Sequence, residues 1–145
     1  MNNLEKSLAE FESKYGRKVV YNAEEDMLYE EVKGKLQPVR IGQEKEVDLK
    51  KPVSFCLVEE LHGSYGIGLS EADQKLADII SNHVDIVVGK ELEEKGLMEE
   101  RDGKYHSLGI GVCHIFWSRK KEILKQKYDI NWQSPQDLNP ATFYD

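Results

Sequence analysis

Between Ser70 and Gly96 the apolar residues Leu76, Ile79, Ile80, Val84, Val87, Val88 and Leu92 recur at three- and four-residue steps. That spacing commits the middle of the chain to one long amphipathic helix. Ser70 suits the N-cap, and Asp73 three positions later completes a capping-box pattern, with Asp in place of the usual Glu or Gln. Gly96 supplies the residue type that ends helices in a left-handed turn, whereas Gly89 marks a point where this helix could bend or break. A helix with one apolar face must be covered by other elements, so the rest of the chain is read for what can cover it.

Leu4, Leu8, Phe11 and Tyr15 form a second stripe ahead of Gly16, which predicts a helix over 3–15. A third helix is expected from about Val112 to Tyr128, with Cys113, Phe116, Trp117, Ile123, Leu124 and Tyr128 on one face. Between them lie strand signals: Arg17–Asn22 with Val19, Val20 and Tyr21, the segment 27–41 broken by Gly34 and Pro38, and Val53–Leu61 with its apolar run Val53, Phe55, Cys56, Leu57 and Val58. Lys33-Gly34-Lys35 suits a hairpin or a bulge, and Asp102-Gly103 is the strongest short hairpin signal in the chain. Residues 42–51 read as a charged surface loop, and the glycines from Gly63 to Gly68 as a connector. The expected fold class is α+β: about three main helices packed on a small, mostly antiparallel sheet. Residues 1–145 are read as a single compact domain, with the tail 129–145 packed back on it because Trp132, Leu138, Phe143 and Tyr144 are too apolar for a free tail.

Charge narrows the function classes. The chain of 145 residues carries 27 acidic and 20 basic side chains, a net charge of −7. Affinity for phosphate backbones depends on cationic side chains, so general nucleic-acid binding and anionic membrane surfaces are disfavoured. No apolar run approaches the length of a membrane span. The polar start and the two widely separated cysteines, Cys56 and Cys113, favour free thiols in the cytoplasm.

Several stretches carry candidate chemistry. From Glu91 through Gly96-Leu97 to Tyr105, a helix end runs into a hairpin. This resembles the recognition helix and wing of winged-helix regulators, over a segment at 76–108. The resemblance implies a nucleic-acid-binding regulator with a helix in the major groove. The helix at 84–95, however, offers Asp85, Glu91, Glu93 and Glu94 against only Lys90 and Lys95, and bases and phosphates call for donors and cations there. The ordinary reading of these elements is a helix followed by a hairpin used purely as structure.

Cys113 and His114 stand at the start of the third helix, where the helix dipole favours a thiolate. Neighbours on a helix diverge by about 100°, so His114 is poorly placed as the base for Cys113, and a thiol-dependent enzyme would need His62, His83 or His106. The alternative is a small core cysteine beside Phe116 and Trp117. The cationic run Arg119, Lys120, Lys121, Lys125 and Lys127 reads as a solvated helix face able to touch an acidic surface or phosphate, and Trp132 is set beside it as an aromatic binding candidate. No spacing of His and Cys matches a metal site, and no cofactor motif is present: the loop 63–68 fits neither the dinucleotide fingerprint nor the P-loop.

Without a convincing catalytic constellation, the leading expectation is a small acidic cytosolic binding protein, of the inhibitor or immunity type in its composition, whose partner is another protein rather than nucleic acid. A winged-helix-like regulator and a thiol enzyme using Cys113 are the alternatives.

Overall fold

The computed structural model describes residues 3–41, 54–58, 63–66, 70–134 and 137. Its elements follow in the order α1 (Asn3–Tyr15), β1 (Val19–Asn22), β2 (Met27–Val32), β3 (Lys35–Pro38), β4 (Ser54–Val58), β5 (Gly63–Gly66), α2 (Glu71–Glu94), β6 (Met98–Arg101), β7 (Lys104–Ser107), α3 (Val112–Tyr128) and β8 (Asn131–Gln133). The fold is α+β, as expected. Its strands form three small sheets rather than one: an antiparallel meander β1-β2-β3, a sheet in the order β5-β4-β8, and the β6-β7 hairpin. Pairing is antiparallel except between β4 and β8. The expected loop at 42–51 lies outside the described residues. Gly63–Gly66, read as part of a connector, is instead a strand paired to β4 from Val58↔Gly63 to Phe55↔Gly66.

Both tight hairpins use the same local device. Lys33 and Gly34 have φ of +52° and +78°, and Asp102 and Gly103 have +53° and +79°. Val32 pairs with Lys35 and Arg101 with Lys104, so each loop is two residues long. Two successive positive φ values match the right-handed twist of the flanking strands, and Asp-Gly tolerates them.

The long helix is capped as its sequence implies. Ser70 Oγ accepts the Asp73 N–H at 3.1 Å, and at the other end Leu97 N–H reaches the Leu92 carbonyl at 2.8 Å around Gly96, whose φ is +76°. The helix runs unbroken through Ser81–His83 and through Gly89. No turn divides it, so among the described residues no helix-turn-helix leads into the β6-β7 hairpin, and the winged-helix likeness stops at a helix followed by a wing-like hairpin.

The core gathers around α2. Leu76, Ile80, Val84, Val88 and Leu92 are buried, with Leu8 and Phe11 of α1, Leu28 and Val39 of the meander, and Trp117, Leu124 and Tyr128 of α3 in the same cluster. Tyr128 also accepts the Leu28 N–H at 3.2 Å, tying α3 to β2. At the start of α2, Arg17 donates from Nε and Nη2 to the two oxygens of Glu30 at 2.9 Å each, and from Nη1 to Asp73 at 2.8 Å. Past α3, Ile130 and Trp132 are buried and β8 lies parallel to β4, Phe55 opposite Trp132. Among the described residues no helix is long and apolar enough to cross a membrane.

Candidate functional site

A cleft of about 700 Å³ opens between α2, the β6-β7 hairpin and the start of α3. Its position follows from how the hairpin is held. The ring of Tyr105 on β7 lies against Gly89, so close that a β-carbon there would fall 2.4 Å from Cδ2 of the ring. Leu108 N–H donates to the Leu97 carbonyl at 2.9 Å and closes the base of the hairpin. On the far side, Arg119 donates to both oxygens of Glu91, at 2.9 and 3.2 Å, and pins α3 to α2.

The walls are mainly apolar. Tyr105 and Met98 come from the hairpin, Ile86 from α2, and Phe116, Trp117 and the partly buried thiol of Cys113 from α3. Asp85 is the carboxylate of the lining, and Lys104 its cation. Ile86 in the cleft wall is exposed, as are Leu108, Ile110 and Ile115 in the segment that runs from β7 into α3, between the lining residues Ser107 and Phe116, Ile110 at 88%. They are four of the six exposed large apolar side chains among the described residues, the others being Val32 and Leu36 in the meander. Scattered exposed apolar residues are ordinary; these four lie on α2 and on the 108–115 segment.

Behind the wall lies an ion pair. Lys120 Nζ approaches Asp85 Oδ1 to 2.7 Å, without the angles of a hydrogen bond, and sits 4.8 Å from the centre of the Trp132 ring. Its side chain is only 1% exposed, whereas that of Asp85 is 40% exposed although Oδ1 itself is sealed. Burial pushes the Asp85 carboxyl above its ordinary value, and the neighbouring ammonium opposes that rise without cancelling it.

The cationic run thus does not form one solvated face. Lys120 is core, because its helical position turns it under the tail strand, and Trp132 is buried as its lid rather than offered to a partner. Arg119 is bound to Glu91 and Glu122, Lys121 to Asp137, and Lys125 to Asp129. Lys127 donates to the carbonyls of Glu25 and Asp26. Cys113 is a free thiol on the cleft wall, and His114 stacks edge-on to Trp117 at 5.5 Å. No histidine lines the cleft among the described residues: His83 is engaged with Asp26, His106 is exposed on β7, and His62 lies outside the description. Nor do three potential metal ligands converge among the described residues.

One cluster had no counterpart in the sequence reading. Asp26, at φ +50° in the β1-β2 turn, receives the Tyr21 hydroxyl at 2.5 Å and faces His83 Nε2 at 2.8 Å. These residues come from three elements, and no local motif joins them. No protein-family model matches the chain, and neither a curated protein nor a solved structure shows significant similarity to it.

Proposed function

We propose that this chain is a binding module for another protein, in the manner of a small acidic inhibitor or immunity-type protein of the cytosol, and that it docks through the cleft between α2, the β6-β7 hairpin and α3. The observation that carries this reading is a largely apolar cleft with Ile86 exposed in its wall, and Leu108, Ile110 and Ile115 exposed in the same stretch of chain as the lining residues Ser107, Cys113 and Phe116. Apolar contact supplies affinity, while charge selects the partner and speeds its approach. The chain's net charge of −7 favours a basic partner, and the cations of α3 are already engaged within the chain. A free Cys113 fits a reducing compartment.

The test compares the wild type with an Ile110→Glu/Ile115→Glu variant as baits, followed by reconstitution with each purified partner and sedimentation of the bait alone. The reading expects a basic protein that binds the wild type in purified form and binds the variant at least tenfold more weakly. Equal binding by both baits overturns the assigned face. Self-association of the wild type that the variant abolishes would make the face a homodimer interface instead.

A further inference from the structure

We infer that the cleft receives a cationic side chain, arginine or lysine, from a basic segment of the partner protein, with Asp85 as its counter-charge; this rests on the cleft being a protein-docking face. The Lys120–Asp85 pair is neutral as a whole but oriented. Its ammonium is sealed under Trp132, and its carboxylate turns Oδ1 inward and leaves the rest of the side chain on the cleft wall. The cleft therefore meets the negative end of a fixed dipole. A long cationic side chain matches that wall in two ways. Its alkyl stem can lie on apolar surface while its head stays polar, and its charge is drawn to the faces of aromatic rings, of which Tyr105, Phe116 and Trp117 line the cleft.

The surroundings point the same way. Residues 91–104 hold six carboxylates against three cations, and Glu93, Glu94, Glu99 and Glu100 are all exposed. Lys104 is the lining's opposing charge, but it is exposed at the start of β7, where water and salt screen it. One carboxylate in a mainly apolar cleft is a specificity device: an acidic side chain in the same place would be repelled by it, and an amide could offer it a hydrogen bond but no charge.

Random linear peptides displayed on phage and selected on the wild-type protein provide the test, with the Ile110→Glu/Ile115→Glu variant used for counter-selection. The expected peptides carry arginine or lysine next to a bulky apolar residue. Changing that cation to glutamine should weaken binding to the wild type about tenfold, the usual scale for a hydrogen bond to a charged group. The same change should cost much less on Asp85→Asn, where only the attraction to the aromatic rings is lost. The double variant Asp85→Asn/Lys120→Met, which leaves no buried ammonium unpaired, should behave as Asp85→Asn does, so a folding defect of the single variant does not decide the matter. Enriched peptides that depend on Ile110 and Ile115 but show no cation preference, or lose as much from the glutamine change on Asp85→Asn as on the wild type, overturn the inference and leave the docking face standing. Failure to enrich any peptide that the Ile110→Glu/Ile115→Glu variant rejects counts against the face itself.

Discussion

The ring of Tyr105 rests on the backbone of Gly89, and the space between them has no room for a methyl group. This contact seats the hairpin on α2 and so shapes the cleft. Gly89→Ala adds helix propensity worth up to about 1 kcal/mol, but forces the ring away, and overpacking costs about 1–3 kcal/mol. The net expectation is a loss of about 1 kcal/mol in urea unfolding. In a Tyr105→Ala background the sign should invert, because only the propensity gain remains. A Gly89→Ala variant as stable as the wild type would mean that the ring is not held there.

Legibility in the sequence followed the range of the interaction. The caps of α2, its stop at Gly96 and the Asp102-Gly103 turn are settled within four or five residues, and each forms where its residue types require. Gly89 looked like a weak point because its reason lies sixteen positions away in Tyr105. Lys120 looked solvated because a run of charges says nothing about which member the tail will cover, and Trp132 covers it. The glycines of β5 looked like loop because backbone pairing with β4 leaves no mark in side-chain periodicity. The cleft itself needs the hairpin's angle to α2, which is tertiary information.

Arg17 was not singled out by any motif, yet it bridges β2 and α2 through Glu30 and Asp73, whose side chains are both largely buried. Arg17→Met would leave two carboxylates without their cation. Breaking a buried pair in this way costs about 3–5 kcal/mol; because water reaches part of the Arg17 side chain, the lower end is expected. Arg17→Lys should fall between the wild type and Arg17→Met, since an ammonium cannot reproduce the fork that meets both Glu30 oxygens. Thermal or urea denaturation of the two variants checks the order, and a cost for Arg17→Met within about 0.5 kcal/mol of zero would show the clamp to be dispensable.

The Lys120–Asp85 pair should respond unequally to the loss of its two members. Lys120→Met keeps the buried stem and removes the charge, leaving Asp85 with its exposed side in water, so a change under about 1 kcal/mol in either direction is expected. Asp85→Ala strands an ammonium that is 1% exposed and should cost about 3 kcal/mol. Combining the two should recover most of that loss. Denaturant midpoints for the three variants measure it, and equal costs for the two single changes would contradict the burial asymmetry.

Acid should weaken the molecule through Asp26. Burial pushes this carboxyl up, but the hydrogen bonds from Tyr21 and His83, with the charges of His83 and Lys127, outweigh it and hold the folded carboxyl below the ordinary value of 3.8. Tyr21 is held protonated by its own burial and by Asp26, its hydroxyl pushed up to about 12. Between the lowered folded value and the ordinary one, the unfolded chain binds more protons than the folded chain, so stability rises with pH across that window. The contribution is complete above the ordinary carboxylate range and disappears as pH falls through the lowered value. Asp26→Asn keeps an acceptor for Tyr21 and tolerates the positive φ, but loses the charge. It should therefore cost about 1 kcal/mol at neutral pH, a modest figure because a third of the side chain meets solvent. The stability difference between the wild type and Asp26→Asn, followed by urea unfolding from neutral pH downward, isolates this group because the other carboxylates cancel. It should shrink as pH falls below about 4; a difference that persists undiminished to the lowest pH at which both proteins fold would show that Asp26 titrates alike in both states.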